Sequence, residues 1–225
     1  MNAADDSSRK DDGHLGQPSG FDERAATWDE NPEHVERAQA IAAAIIEAVP
    51  LGPATRVLEY GAGTGLVSQA LRAHVGPITL ADTSDGMRAV IQSKIGAGAL
   101  GPATVWDVDL ATTPAPAGDQ FDLIVTVMTL HHILDLAPVL DAFRQLLAPG
   151  GHLCIADLEH EDGSFHGDGF HGHHGFAPPA LAAALHAAGF SAPAFSTPHR
   201  VERDGRSYPI FLAVTSPRHG TARTA

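Results

Sequence analysis

The sequence has one cysteine, few aromatic residues and no long apolar run. Cys154 has no second cysteine with which to form an internal disulfide, which is typical of a reducing cytoplasm, and its apolar neighbours predict an inert core residue. No apolar run approaches the roughly 20 residues that span a bilayer. The polar N-terminus does not have the pattern of a signal peptide. We therefore expect a soluble, cytoplasmic protein that has no membrane partner.

Basic residues are also scarce. The chain has 14 lysines and arginines against 27 aspartates and glutamates, and its formal net charge is −13 at pH 7. Since neither a phosphate backbone nor an anionic membrane attracts such a chain, nucleic acid is not an expected partner. The length of 225 residues and the 44% hydrophobic content predict one domain over residues 21–216, with disordered tails at residues 1–20 and 217–225. The oligomeric state is left open.

Residues 56–67 contain the pattern around which the rest of the chain is organised. An apolar strand leads into three alternating glycines, and a helix is predicted over residues 66–73. The spacing is G-x-G-x-G, whereas a dinucleotide fingerprint requires G-x-G-x-x-G, and Leu66 takes the place of its third glycine. Glu59 puts a carboxylate at the strand end, where it would repel a pyrophosphate and attract a cationic amino group. The stretch predicts a site for a zwitterionic, sulfonium-bearing ligand.

The run Val-Leu-Glu-Tyr-Gly-Ala-Gly-Thr-Gly resembles motif I of the class I S-adenosylmethionine-dependent methyltransferases. Phe-Asp-Leu-Ile, Leu-His-His and Leu-Ala-Pro-Gly-Gly resemble the same family, so the resemblance covers about residues 21–160 and more loosely the rest. It implies S-adenosyl-L-methionine as cofactor and an α/β fold: a Rossmann-like, doubly wound, mostly parallel seven-stranded sheet with an antiparallel C-terminal hairpin at its edge. It also implies cofactor contacts at Glu59, Gly61, Ala62, Gly63 and Gly65.

Further cofactor contacts are predicted after the second strand. Asp82 ends that strand about twenty residues beyond the glycine loop, and ligands of open α/β sheets bind at the carboxyl ends of strands. Asp82 is therefore predicted to hold the ribose hydroxyl pair, with Thr83 beside it. The resemblance implies that Met87, in Asp-Thr-Ser-Asp-Gly-Met, packs near the adenine.

The segment Asp107-Val-Asp109-Leu110 follows the third strand. The resemblance implies that an acid here receives the adenine amino group. Asp107 and Asp109 are both candidates for this contact. The interval to Phe121-Asp122 favours Asp109, with the amide of Leu110 as the adjacent contact, and Asp107 would then be a turn residue. Thr126, in the predicted central strand, is also expected to contact the cofactor.

Hydrophobic periodicity and turn residues predict the remaining elements. Asn31-Pro32-Glu33 has the order of an N-cap, a first-turn proline and an acid that favours the helix dipole, so a helix is predicted over residues 31–49. Helices are also predicted from Ser84 and over residues 136–147 and 178–188. Strands are predicted at residues 77–82, 103–106, 121–128 and 152–157, and a hairpin at residues 195–202 and 207–214.

Two histidines follow the central strand, at the place where the family resemblance puts the transferred methyl group. A histidine that titrates near neutral pH suits removal of a proton from an acceptor, and His132 and His131 are the predicted catalytic residues. The alternative is that these histidines only hydrogen-bond a loop carbonyl. Trp28 has two readings as well: it packs the first helix onto the core, or it belongs to a lid over the site.

Residues 159–176 contain too many glycines and histidines for a helix or strand. The loop leaves the carboxyl end of the fifth strand, so it is predicted to close over the acceptor on glycine hinges, with His166, His173 and His174 contacting substrate. One alternative is a divalent metal held by its histidines and acids, and another is a solvated or structurally hydrogen-bonded loop. Their spacing matches no standard ligand motif, and the expectation is that no metal is bound.

Two classes of function remain. The first is a methyltransferase that acts on a small-molecule acceptor, and the second is a cofactor-binding or scaffold module without catalysis. A nicotinamide-dependent oxidoreductase is disfavoured by the glycine spacing. The sequence does not identify the acceptor or the atom that is methylated.

Overall fold

The computed structural model describes residues 19–218. Its α-helices are α1 Ser19–Arg24, α2 Pro32–Ala48, α3 Leu66–Leu71, α4 Asp85–Gly96, α5 Leu136–Leu146 and α6 Pro178–Ala187. Its strands are β1 Val57–Tyr60, β2 Ile78–Ala81, β3 Ala103–Trp106, β4 Phe121–Val127, β5 Leu147–Leu158, β6 Ala194–Arg203 and β7 Arg206–Thr215. Two 3-10 turns, Ala25–Glu30 and Leu130–His132, complete the elements.

The strands form one sheet in the order β3-β2-β1-β4-β5-β7-β6. Strands β1 to β5 run parallel to one another, and β7 runs antiparallel to β5 and to β6. The predicted doubly wound sheet with an antiparallel C-terminal hairpin is therefore confirmed. The chain order reverses between β1 and β4, and such a switch point opens a crevice for ligands at the carboxyl ends of the strands.

Helices cover both faces of this sheet. Helices α2, α3 and α4 pack on one face, where Ile41, Ile45 and Ile91 are fully buried. Helices α5 and α6 pack on the other face through Phe143 and Leu185. Side chains of β1 alternate between the two cores, so Glu59 points toward the α2 and α3 side.

Helix starts follow the capping residues that the sequence contains. Asn31 accepts a hydrogen bond from the amide of Glu33 at 3.0 Å, and Ser84 accepts one from the amide of Met87 at 3.1 Å. Such caps each stabilise a helix by about 1 kcal/mol. The hairpin turns at Asp204 and Gly205, whose φ angles of 50° and 72° suit a two-residue turn between twisted strands.

Strand β5 is longer than the sequence predicts. It begins at Leu147 rather than residue 152, because Leu147 already pairs with Phe121. The ladder then shifts register and resumes with His152 opposite Leu123, since Gly150 turns the chain with a φ of 80°. The predicted strand over residues 152–157 is correct but covers only its second part.

The described residues overlap each predicted tail by two residues. Ser19 and Gly20 belong to α1, and the rest of the tail at residues 1–20 lies outside the described residues. At the other end, Pro217 pairs with Phe190, and the remainder of the tail at 217–225 after Arg218 also lies outside. Among residues 19–218, no helix has both the length and the apolar character needed to cross a bilayer.

Candidate active site

A cavity of about 790 Å³ opens at the carboxyl ends of β1, β2 and β4. Its size lies within the range of small-molecule sites. It brings together most of the residues that the sequence predicts: Trp28, Glu59, Gly61, Ala62, Gly63, Asp82, Thr83, Met87, Asp109, His131, His132 and His166. The lining does not include Gly65, Leu110, Thr126, His173 or His174.

The glycine loop begins at Gly61, where the chain turns directly over another loop. Gly61 has a φ of 68°, and a Cβ atom there would lie 2.3 Å from the side chain of Thr129. Thr129 donates from its hydroxyl to the carbonyl of Gly61 at 3.3 Å. Gly63 also has a positive φ, of 55°, but a Cβ there would meet no atom within 4 Å. Gly61 is therefore needed for packing, and Gly63 leaves open space beside the cavity.

This difference predicts unequal effects for two alanine substitutions. Each substitution destabilises the folded state by roughly 1 to 2 kcal/mol, because a residue with a Cβ atom must adopt a left-handed backbone conformation. Gly61→Ala also forces Thr129 to move. Gly61→Ala should therefore lower the unfolding temperature clearly more than Gly63→Ala does. Thermal unfolding of both variants beside the wild type measures this. Equal losses would show that the contact with Thr129 adds nothing.

Glu59 is buried at the floor of the cavity, with 3% of its surface exposed. Its Oε2 accepts a hydrogen bond from the amide of Ser68, in α3, at 2.9 Å. Burial raises the pKa of this carboxyl to about 7, although Ser68 and the nearby charge of Lys94 act in the other direction. A cation placed in the cavity would favour the ionised form, so Glu59 is suited to bind an ammonium group.

Asp82 ties the glycine loop to the end of β2. Its Oδ2 accepts from the amide of Gly63 at 2.7 Å, and its Oδ1 accepts from the amide of Ser84 at 2.9 Å. Burial raises the pKa of this carboxyl. Each carboxylate oxygen has a second lone pair, so both amide bonds leave acceptor capacity for a pair of ligand hydroxyls.

The two acids after β3 face different directions. Asp109 lines the cavity, accepts from the amide of Ala111 at 2.9 Å and contacts the hydroxyl of Tyr60 at 3.4 Å. Asp107 is exposed and pairs with Arg88 at 3.0 Å. The amide of Leu110 donates to the Tyr60 hydroxyl at 3.2 Å. Asp109 is therefore placed to contact a ligand, whereas the Leu110 amide already has a partner.

The N-terminal segment forms part of the cavity wall. Asp22 accepts from the amide of Gly86 at 2.8 Å, and Asp29 accepts from the hydroxyl of Thr64 at 2.5 Å. These bonds hold the segment against α4 and the glycine loop. Phe21 and Trp28 consequently line the cavity, as a covering segment would require.

His131 and His132 occupy the 3-10 turn after β4, and both line the cavity. The Nδ1 of His131 lies 2.6 Å from Oδ1 of Asp157, and its amide donates to Oδ2 of the same carboxylate at 3.2 Å. Both residues of this pair are almost fully buried. Burial lowers the pKa of His132 to about 2, with further contributions from His131 and His166. His132 is therefore a neutral imidazole at neutral pH.

His166 joins these two histidines from the loop at residues 159–176. Its ring stacks on Phe170 with centroids 3.8 Å apart. The ring centroids of His131 and His132 lie 4.9 and 5.7 Å from that of His166. One ring nitrogen from each of the three lies within 4.8 Å of the others. The three imidazoles form a cluster that we call the histidine cluster.

The loop itself is tightly packed. Phe165, Phe170 and Phe176 are buried, and His173 donates its amide to the carbonyl of His131 at 2.7 Å. The His173 ring bonds the carbonyls of residues 133 and 134, and does not face the cavity. A Cβ at Gly172 would lie 2.2 Å from the carbonyl oxygen of His131. This glycine permits close approach of two backbones, which is a different role from the predicted hinge.

The sequence did not single out several residues that the cavity contains. Arg37 lines it, and none of the ion pairs found among residues 19–218 includes this guanidinium. Asp157 orients His131 from the end of β5. The sequence could have identified Asp157 as a site residue, because it is an acid at the carboxyl end of a buried apolar strand. The cavity lining contains more acids than arginines. The arginines are Arg37 and Arg203, and the acids are Glu33, Glu59, Asp82, Asp109, Asp135 and Glu202.

Known proteins resemble this chain in sequence. The chain is 32% identical over 143 residues to a biotin biosynthesis bifunctional protein of Bordetella avium, covering 63% of this chain and 30% of that protein. It is 37% identical over 123 residues to a ubiquinone biosynthesis O-methyltransferase of Xylella fastidiosa, covering 51% of this chain and 46% of that one. The chain thus spans less than half the length of either relative.

Solved structures share the fold. A complex of DhpI with SAH superposes with a TM-score of 0.67 at 22% identity, covering 90% of this chain and 96% of that one. The family model described as a methyltransferase domain matches residues 33–192, which is more than half of the chain. Together with the sheet order and the glycine loop, this match shows that the chain belongs to the class I S-adenosylmethionine-dependent methyltransferase family.

Proposed function

We propose that this protein transfers the methyl group of S-adenosylmethionine to a small-molecule acceptor. The observation that carries the proposal is one cavity in which the glycine loop, Asp82 and Asp109 lie together with His131 and His132. The glycine loop, Asp82 and Asp109 would contact the cofactor. The two histidines provide a polar wall for a second molecule. The cavity volume of about 790 Å³ lies in the range of small-molecule sites.

The cofactor is proposed to lie along the carboxyl ends of β1 and β2. Glu59 receives its ammonium group, Asp82 its ribose hydroxyls, and Asp109 and Met87 its adenine. The excess of acids in the lining supports a ligand with a sulfonium and an ammonium. Arg37, which has no ion-pair partner among residues 19–218, is placed to neutralise the carboxylate of the same ligand.

The acceptor is proposed to lie between the cofactor and the histidine cluster. There its nucleophilic atom loses its proton to solvent, attacks the methyl carbon with its lone pair, and displaces the sulfur, which keeps the electrons of the broken bond. Holding both reactants in line supplies much of the rate enhancement. Relatives named O-methyltransferases support oxygen as the acceptor atom.

Ligand-induced stabilisation tests the cofactor part of this proposal. Thermal unfolding is measured with S-adenosylmethionine, S-adenosylhomocysteine, NADH and NADPH, and only the first two should raise the unfolding temperature. Asp82→Asn should weaken S-adenosylhomocysteine binding by about 1 to 3 kcal/mol. Asp107→Asn is the matched control, because Asp107 faces Arg88 outside the cavity. Equal affinities for the two variants would contradict the proposed position of the ribose.

The catalytic part is tested separately. Methyl-labelled S-adenosylmethionine is incubated with the protein and panels of small phenols, thiols, amines and carboxylates, and labelled product is separated. Transfer to one chemical class supports the enzyme and identifies the acceptor atom. Strong cofactor binding with no transfer to any class, or to small molecules from a cell extract, favours the non-catalytic binding module.

A further inference from the structure

We propose that the histidine cluster binds one divalent transition metal ion, with zinc as the first candidate. His131, His132 and His166 each offer a ring nitrogen, and these nitrogens lie within 4.8 Å of one another at the wall of the cavity. Imidazole is a preferred ligand of zinc, iron and copper ions. The inference rests on the proposed function in one respect, since it gives the ion a role toward the acceptor.

Asp157 prepares His131 for this role. Because its carboxylate lies 2.6 Å from Nδ1 of His131, that nitrogen carries the proton and Nε2 keeps the free lone pair. Asp157 is fully buried and also accepts from the amides of His131 and Leu158, so its position is defined by three hydrogen bonds. A carboxylate behind a histidine is a recurrent arrangement in zinc sites, where it fixes the ring and offsets the charge of the ion.

The orientations of the three rings also bear on whether they can bind the same metal ion. The planes of His131 and His132 meet at 41°, those of His131 and His166 at 42°, and those of His132 and His166 at 72°. The three ring planes are therefore inclined to one another and not stacked. Nitrogens around a tetrahedral zinc ion lie about 3.3 Å apart, given zinc to nitrogen distances of about 2.0 Å. The ring nitrogens lie within 4.8 Å of one another, so a bound ion would draw them closer together.

The sequence predicted no metal because the histidines of residues 159–176 have no standard ligand spacing. The cluster draws only His166 from that loop and takes its other two members from the turn after β4. Three protein ligands and an open position are the pattern of a catalytic zinc site rather than a structural one. The fold, and not the local spacing, assembles this set.

An open position facing the cavity gives the ion a function in methyl transfer. A metal ion held there would lower the pKa of an acceptor hydroxyl or thiol, so that the acceptor would lose its proton to solvent at neutral pH. The lone pair that remains attacks the methyl carbon, and the bond between that carbon and sulfur breaks to give S-adenosylhomocysteine. This arrangement removes the need for a strong base among the buried histidines.

The test measures zinc binding by the full chain without a polyhistidine tag, since a tag would itself bind zinc. Chelator-treated protein is titrated with Zn²⁺ alone by calorimetry, and with Co²⁺ by visible absorption. We expect about one equivalent per chain. His132→Ala and His166→Gln should each weaken Zn²⁺ binding about 100-fold or more, and Asp157→Asn about 10- to 100-fold. His186, which lies outside the cluster at the end of α6, serves as the Gln control and should leave the affinity unchanged.

Binding of S-adenosylhomocysteine is measured on every variant, which shows whether each one folds and separates this inference from the proposed function. Cofactor binding without Zn²⁺ binding by the wild type overturns the metal site and leaves the methyltransferase proposal intact. Zn²⁺ binding that survives His132→Ala and His166→Gln also overturns it, and places the ion elsewhere. Zn²⁺ binding at the cluster without cofactor binding supports the site and contradicts the proposed function.

Discussion

Replacing Glu59 with glutamine is expected to stabilise the cofactor-free protein at pH 8 and to weaken cofactor binding. Glu59 is almost fully buried, and this burial raises the pKa of its carboxyl to about 7 from an ordinary value of 4.5. The folded state therefore holds a proton between these two values that the unfolded chain has already lost. The stability that this proton contributes is complete below pH 4.5 and is lost as the pH rises through about 7.

Above pH 7 the folded protein must keep an ionised carboxylate out of water. The difference between 4.5 and about 7 corresponds to about 3 kcal/mol. Glutamine has the same shape, still accepts the amide of Ser68 and never ionises. Glu59→Gln should therefore be more stable than the wild type at pH 8, and should show no gain at about pH 4.5.

The same substitution should weaken binding of S-adenosylhomocysteine at pH 8 about 10- to 100-fold, because the ammonium group loses a charged partner. Thermal unfolding at both pH values and calorimetric titration measure the two effects. Glu47→Gln is the control, since Glu47 is exposed near the end of α2. An unchanged stability at pH 8 together with unchanged affinity would remove Glu59 from the ammonium site.

Replacing His132 with alanine should lower the rate of methyl transfer about 100-fold or more, with little change in cofactor affinity. His132 contacts the cavity between His131 and Phe21, with ring centroids 4.1 and 5.5 Å away, and lies on the side proposed for the acceptor. The alanine side chain can neither accept a proton nor ligate a metal. The loss should therefore appear in turnover and not in the binding of S-adenosylhomocysteine.

The measurement is the initial rate of S-adenosylhomocysteine formation with the acceptor class found above. His186→Gln is the control, because His186 lies at the end of α6 and outside the cavity lining. A turnover within a few-fold of the wild type would make His132 a structural residue. Alignment of the two reactants would then account for the reaction without it.

The sequence predicted the fold well because its signals are local. Three glycines at alternate positions, an acid at a strand end and capping residues before helices each act over a few residues, and the sheet order follows from parallel strands joined by helices. The family resemblance and the seven-stranded topology were both confirmed. The start of β5 was missed, since Pro-Gly-Gly ends a helix as readily as it bends a strand.

The site was harder to predict because its contacts join distant parts of the chain. The Leu110 amide has the Tyr60 hydroxyl as its partner, and 50 residues separate them. His166 contacts His131 because the loop at residues 159–176 packs against the turn after β4. Asp157, near the end of β5, contacts His131 in that same turn. Residue type and spacing do not reveal such pairs, whereas the placement of acids at strand ends does follow from the sheet.

The most direct measurement of the central claim is a crystal structure of the protein with S-adenosylhomocysteine. We expect the ribose hydroxyls within hydrogen-bond distance of Asp82, the ammonium group beside Glu59, and the sulfur facing the histidine cluster across an open space for the acceptor. A ligand bound elsewhere, or one whose sulfur faces away from His131 and His132, would contradict the account.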